Sequence, residues 1–540
     1  MKIKDKRNRN KMKNEHKLVN KQKELSIYNS EHGPYKIISF INLGGDMSKI
    51  KEEYLNNKLT NLYFYKKKMH NFLFIDTGHF TDIETAYIIR CSDLVVFVVN
   101  SIIINEKVLQ LVKRHLPSCI FTVLDKKYIK SCKKFVNKFL PDQKVVEVSL
   151  LFNYLCARSF STKISARPFM IPLSIDVRSD NIYVIKGFMK KGLLTDKVII
   201  NGKYEGTVVN IKSDKIYSGS ELGMTDDEKS HFKTVTNIDD TEMEVIDEEQ
   251  ILENDESTSS DEYYSEDEEE NKYPSLIDKY KEYKGIKNIA TCELPTDKYP
   301  DYYQNLIFFQ DFKHVNKIIV NRKSIIADNQ MVEITLKLTD SIHDNIFVMF
   351  GYYEFEDFKT IHNYSFQGKC KTGEKLLVDL GYKIIEVTPT LTKLNNNNLH
   401  KREESLDTGV ISFIAPLSFD LHKILIFESN LLKETSIRTF KMVGMNLGIK
   451  DRKLYDEIVL QGLPIKIHKR SCTVKRMFYS KEEVLYFKEI GLYTKNGRSH
   501  GFIKKPLGVH GAFKAYFSHP IASNDKIYMS LYKRAFLNDY

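Results

Sequence analysis

No two of the seven cysteines (Cys91, Cys119, Cys132, Cys156, Cys292, Cys370 and Cys472) stand as a C-x-x-C pair. Neither a zinc site nor a disulfide framework can be read from them, and such scattering fits small buried hydrophobes in a reducing compartment. Apolar runs are short as well. None approaches the ~18 residues of a membrane helix, and the first residues are polar, so a soluble chain with neither a membrane partner nor a secretory leader is expected. The nucleotide-binding motifs of an NTPase are also missing, and no cofactor is expected. With 540 residues, three or four domains are expected, because single cores rarely grow past ~250–300 residues.

What is present is charge, unevenly spread. The chain carries a net of +11, but residues 225–270 hold twenty acids against two bases, a net of −18, which leaves +29 on everything else. An excess of that size is the electrostatic footprint of a nucleic-acid partner. Residues 1–24 contribute ten Lys/Arg against three acids, among them Lys4, Lys6, Arg7, Arg9, Lys11 and Lys13, and hold too few apolar side chains for a core. The tail, 1–34, is either a solvated segment or an arm that folds against RNA phosphates and doubles as a nuclear-import signal.

From Tyr35 short apolar runs at 36–43, 72–75, 94–99, 119–123 and 145–149 alternate with stretches such as 108–112 and 128–139, whose apolar residues recur at three and four. This is the pattern of a doubly wound α/β domain, placed at 35–164. The order of its pieces resembles a GTPase domain, but the chemistry departs from one. A phosphate-binding loop needs glycine amides around the phosphates, a lysine against their charge and a hydroxyl on magnesium. The chain instead reads Leu43-Gly44-Gly45-Asp46-Met47-Ser48-Lys49, with an acid where phosphate would sit. The switch motif is altered to Asp76-Thr77-Gly78-His79, and the guanine-reading Asn-Lys-x-Asp is replaced by Leu124-Asp125-Lys126-Lys127. The expectation is a degenerate G domain kept as a docking surface, since a fold does not carry its activity with it. A divergent GTPase with an unorthodox loop is the enzymatic alternative.

After Ser165 the helical spacing disappears. Alternating strands broken at Arg178-Ser179-Asp180-Asn181, Gly192 and Asn201-Gly202 predict a β-barrel over 165–330, interrupted by an acidic insert at 225–271 that is too charged to pack. Ser257, Ser259, Ser260 and Ser265 stand beside acids, the context acidophilic kinases use. The insert is otherwise a cover for basic surfaces or a passive loop. Tyr302 and Tyr303, on the return from it, are either packing or base-stacking residues. Residues 331–540 are β-rich throughout and are expected to form two barrel-like domains sharing strands.

The last eighty residues are the most basic folded part, with fifteen Lys/Arg against five acids. Ile465/Ile467, Phe513/Ala515/Phe517 and Ile527/Met529/Leu531 alternate with polar residues as in half-buried strands, and Ser480 with Glu483 forms a capping box before a short helix. The candidate RNA-facing cations are Lys466, Lys469, Arg470, Lys475, Arg476, Arg498, Lys504 and Lys505, some of which would be ordinary solvated strand faces.

The run from Gly462 to Arg534 resembles the C-terminal region of the Tsr/Bms family of eukaryotic ribosome-biogenesis factors, nearer its Tsr branch than its larger nucleolar GTPase branch. Lys469-Arg470-Ser471, Arg476-Met477-Phe478, Gly497-Arg498, Pro506-Leu507-Gly508 and Leu531-Tyr532-Lys533-Arg534 carry that resemblance. It extends back through Ala415-Pro416 and Gly381-Tyr382. It implies a translational-GTPase-like architecture, α/β plus β, in which a degenerate G domain is followed by several β-barrel domains. It implies a monomeric, non-hydrolysing factor travelling from nucleolus and nucleus to cytoplasm on pre-small-subunit particles. There it would contact rRNA, ribosomal proteins and other assembly factors and block premature engagement of initiation factors or the large subunit. A generic RNA chaperone is the remaining class, distinguished by showing no preference for pre-ribosomal RNA.

Overall fold

The computed structural model describes residues 35–43, 50, 62–67, 70–78, 80–99, 118–140, 143–157, 167–179, 181–230, 232, 234–235, 275–285, 300–342, 346–395, 399–419, 423–429, 440–494, 499–522 and 524–539. The basic tail, Gly44 to Lys49, His79, the helical stretch 108–112, the four insert serines and Arg498 lie outside the described residues.

Six strands, β1 (Lys36–Asn42), β2 (Leu62–Lys67), β3 (His70–Asp76), β4 (Leu94–Val99), β5 (Ser118–Val123) and β6 (Val145–Glu147), form one sheet in the order β2-β3-β1-β4-β5-β6. All pairs are parallel except edge strand β2, which runs antiparallel to β3. Both faces are covered, which is why β4 reads as six consecutive apolar residues. Leu94, Val96 and Val98 pack with Leu151 and Leu155 of the helix Val148–Ala157 on one face, while Val95, Phe97 and Val99 meet Cys132 and Val136 of the helix Ile129–Phe139 on the other. The helix Asp82–Cys91 opens with a capping box between Thr81 and Glu84.

The next unit is a closed barrel. Strands β7 (Phe169–Ser179), β8 (Ile182–Lys190), β9 (Lys197–Ile200), β10 (Tyr204–Lys212) and β11 (Ile216–Ser218) precede the short ladder of β12 (Thr234–Val235) with β13 (Phe308–Phe309). Then come β14 (Gln330–Leu338) and β15 (Met349–Gly351), in the order β11-β10-β14-β8-β7-β15-β9, with β9 also pairing β10 to close the ring. Asn201 (φ 54) and Gly202 (φ 71) make the predicted β9–β10 turn. The barrel therefore does not stop at residue 330. Two of its staves come from later sequence, because closure is a matter of edge hydrogen bonds that alternation along one strand cannot reveal. The insert also starts later than residue 225. The helix Asp226–Ser230 is held by Lys229 to Glu354 (2.8 Å), and Phe232 meets Phe355 edge-on at 5.5 Å, so this end packs despite its acids.

A fourteen-stranded sheet contains the rest. Its first part comprises β16 (Lys359–Lys371), β17 (Leu376–Asp379), β18 (Ile384–Val387), β19 (Thr390–Thr392), β20 (Leu399–Glu403), β21 (Ser405–Pro416), β22 (Lys423–Glu428) and β23 (Phe440–Ile449). They run in the order β18-β17-β22-β23-β16-β21-β19-β20 and, among the described residues, do not close. Its second part does: β24 (Lys453–His468), β25 (Ser471–Lys475), β26 (Leu492–Thr494), β27 (His500–Leu507), β28 (Ala512–Phe517) and β29 (Ile527–Ala535) run β24-β25-β28-β27-β26-β29 and return to β24. Parallel pairing of β20 with β24 joins the two parts. Of the two expected barrel-like domains, the terminal one is a ring and the first is, among the described residues, an open sheet.

Buried ion pairs link these units. Arg90 reaches Asp379 (2.7 Å), and Arg167 forks onto Glu356 (2.6 and 2.8 Å) with its guanidinium 4.2 Å and 4.5 Å from the rings of Tyr382 and Tyr353. Both carboxylate side chains are wholly buried.

Candidate nucleic-acid interface

The terminal barrel sorts its residues by pleat. Phe513, Ala515 and Phe517 of β28 and Ile527, Met529 and Leu531 of β29 point inward to a core completed by Cys472, Val474 and Ile503. Ile465 was expected inside but is 46% exposed, because β24 slips register between Pro464 and Ile467 and turns the intervening residues outward. The predicted capping box is present: Ser480 accepts from the Glu483 amide (3.2 Å) while the buried Glu483 carboxylate takes the amides of Tyr479 (2.7 Å), Ser480 and Leu276 (2.9 Å).

Alternation then fixes what faces out. Across three adjacent strands Ser471 of β25, Tyr516 of β28 and Phe502 of β27 share one row, and Thr473, Lys514 and Lys505 share the next. Lys504 is exposed in the β27 bulge, Lys466 in that of β24, and Lys469 and Arg470 form the two-residue β24–β25 turn, with Lys469 at φ 54. Lys475 ends β25, and Arg476 follows at φ 66. The structure thus gathers Lys466, Lys469, Arg470, Lys475, Lys504 and Lys505 around one sheet face, and leaves Arg476 just past its edge. Lys514 belongs with them and was missing from the candidates; the inward parity of Phe513 and Ala515 was the signal that could have found it.

Pairing separates these cations from their neighbours. Lys401 holds Glu457 (2.7 Å), Arg402 holds Asp456, Lys533 holds Glu282 and Arg534 holds Asp451 (2.9 Å). The hydrogen bonds to Glu457, Asp456 and Glu282 push the pKa values of Lys401, Arg402 and Lys533 up. By contrast Lys466, Lys469, Arg470, Lys475, Arg476, Lys504, Lys505 and Lys514 are all exposed, and none has a carboxylate within ion-pair distance among the described residues. A cation without an internal partner keeps its full charge for an external polyanion.

Tyr302 and Tyr303 are not a stacking pair. Tyr303 is buried against Phe536 (5.2 Å) and its hydroxyl accepts from the Leu537 amide (2.8 Å), while the Tyr302 hydroxyl donates to the Leu537 carbonyl (2.7 Å). Both rings anchor the chain end, so the packing alternative holds.

At the carboxyl edge of the α/β sheet, where strand order reverses and such folds bind ligands, Asp76 is buried and accepts from the Gly78 amide (3.0 Å). The Thr77 hydroxyl donates to the Phe40 carbonyl (2.9 Å). Asp125 is exposed, and Lys126 lies 3.6 Å from Glu147. Among the described residues no group of three or more His, Cys, Asp or Glu could hold a metal.

Residues 268–537 match the family described as 40S ribosome biogenesis protein Tsr1 and BMS1 C-terminal. The Ribosome biogenesis protein tsr1 of Schizosaccharomyces pombe is 27% identical over 288 residues, 48% of this chain and 36% of that one. The Pre-rRNA-processing protein TSR1 homolog of Mus musculus is 25% identical over 348 residues, 59% and 43%, and that of Xenopus laevis 35% over 170 residues, 31% and 20%. The match thus spans less than half the length of each of these relatives. Two solved structures of translation elongation factor SelB from Methanococcus maripaludis align along 93% and 94% of this chain and all of theirs. Their identities are 12% and 11% and their TM-scores 0.44 and 0.46, a coarse likeness.

Proposed function

The chain belongs to the Tsr1/BMS1 family of 40S ribosome biogenesis proteins, and on that premise we propose that it docks on the rRNA of a maturing small subunit. The contact would run through the exposed face of the terminal barrel, extended by the basic tail. The observation that carries this reading is the division of cations just described: those of β20 and β29 are tied to carboxylates, while eight on β24, β25, β27, β28 and their turns have no ion-pair partner among the described residues. Lysine and arginine contacts to phosphate fix position without reading sequence, so selectivity would come from the shape of the folded RNA.

In the same proposal the α/β domain is a scaffold that binds no nucleotide, and the molecule occupies a surface that initiation factors or the large subunit later need. Support comes from Asp46 in place of a phosphate-binding lysine and from the Thr77 hydroxyl bonded to Phe40. Ribosomal proteins and other assembly factors would share the particle with a single copy, in nucleolus, nucleus and cytoplasm. Cross-linking to RNA in cells followed by sequencing tests the docking: a defined footprint on small-subunit rRNA is expected, and one spread over unrelated structured RNA overturns it. Titration calorimetry with GTP and magnesium tests the scaffold role, and micromolar binding would restore the divergent-GTPase alternative.

A further inference from the structure

We propose that the outer face of β25, β28 and β27 is a stacking site for an unpaired RNA base, with Phe502 and Tyr516 as the platform. The proposal rests on the rRNA-docking reading above and deepens it by naming single-stranded nucleotides as what this face takes. Phe502 and Tyr516 are cross-strand partners, with ring centroids 5.9 Å apart at an interplanar angle of 48°. They are 54% and 41% exposed, in a barrel whose core aromatics, Phe513, Phe517, Phe478 and Phe487, are buried. Two adjacent aromatic side chains left in water on a strand face contribute nothing to the core.

The surroundings say what covers them. Strands β25, β27 and β28 contain no aspartate or glutamate at all. The row beside the rings is Thr473, Lys514 and Lys505, with Lys504 next to it, and beyond Ser471 on the other side lies the Lys469-Arg470 turn. Cations therefore flank an apolar centre along both strand directions, a spacing that suits phosphates running past a base laid on the rings. A carboxylate-free basic rim is complementary to a polyanion. Exposed ring faces distinguish an unpaired strand from a duplex, whose bases are already stacked on each other. A sheet face with aromatics at its centre and lysines around it is how single-stranded nucleic acid is held without sequence readout.

The full chain can be tested with fluorescein-labelled RNA of one length, single-stranded or duplex, at fixed salt. Phe502→Ala with Tyr516→Ala is expected to weaken single-stranded binding about 5- to 150-fold, the measured range for losing one stacked base, while duplex binding and the salt slope stay unchanged. Because the chain has no tryptophan, Phe502→Trp supplies a single indole whose emission should be quenched by single-stranded RNA and not by duplex, with affinity retained. Equal single-stranded binding by the alanine variant, or an indole indifferent to RNA, overturns the stacking site and leaves charge-borne docking standing. Wild-type protein that binds neither RNA removes the docking reading and the stacking site together.

Discussion

Replacing three unpaired lysines, Lys475→Gln, Lys505→Gln and Lys514→Gln, should flatten the salt dependence of RNA binding, whereas replacing three paired cations should not. Each phosphate contact releases counterions and adds ~0.7 to 0.9 to the slope of log K against log salt. If all eight unpaired cations touch phosphate, the wild-type slope is about −6 to −7, and affinity falls roughly 10³- to 10⁴-fold between 50 and 200 mM salt. The triple variant loses about 2 to 3 of that slope. The control, Lys401→Gln, Arg402→Gln and Lys533→Gln, removes the same formal charge. Those side chains are already neutralised by Glu457, Asp456 and Glu282, so the slope should hold, with stability reduced by no more than ~1 kcal/mol per half-exposed pair. Fluorescence anisotropy with a small-subunit rRNA fragment over a salt series measures both. A control that flattens the slope as much as the test variant would show that net charge alone, and not the availability of particular cations, governs binding.

Three predictions concern the frame that carries this surface. Arg167→Met should cost about 3–5 kcal/mol, since it removes the cation from the buried Glu356 carboxylate, which the Tyr353 and Phe419 amides (2.8 and 3.3 Å) do not neutralise; an unchanged urea midpoint would refute the buried-pair assignment. His362 is buried with its Nε2–H donating to the Pro416 carbonyl (2.9 Å), and burial pulls its pKa down to about 4. The unfolded chain takes up that proton near pH 6.5 and the folded one does not, so stability is intact above ~6.5. It should fall by up to ~1.4 kcal/mol per unit as pH drops toward 4; urea midpoints at pH 7, 6 and 5 check this, and His362→Gln should lessen the fall. Ser480→Ala removes one cap bond and should cost about 0.5–2 kcal/mol, and Glu483→Ala should cost more because that carboxylate also holds the amides of Leu276 and Tyr479. Thermal melts of the two variants give the ranking.

Several elements are legible in the sequence itself. The uninterrupted apolar run of β4 announced a strand buried on both faces, Asn201-Gly202 announced a hairpin, and Ser480 with Glu483 announced a helix start. Local chemistry specifies each within a few residues. Three expectations failed for a common reason. The first barrel was ended at 330 although Gln330–Leu338 and Met349–Gly351 belong to its ring, the acidic insert was begun before Asp226–Ser230, and Ile465 was placed inside. Ring closure, a distant glutamate and a bulge against a partner strand each depend on residues that lie elsewhere in the chain. The aromatic pair chosen from sequence, Tyr302 and Tyr303, packs at the chain end, while the exposed pair lies on β27 and β28: alternation with Phe513, Ala515 and Phe517 turns Tyr516 outward, but only strand pairing sets Phe502 beside it.

Segregation of charge, the two-residue period of the terminal strands and the departure of residues 43–49 from the phosphate-loop motif are properties of consecutive residues, and the sequence alone determined them. Which cations remain unpaired, which rings meet solvent and which strands close a barrel were decided only in three dimensions. Arg167 meets a carboxylate 189 positions away and Arg90 one 289 positions away, and Arg402 is silenced by Asp456 across a parallel seam. Charge is a sum over composition, but its availability to a partner is a pairwise quantity set by distance, and folding sets the distances.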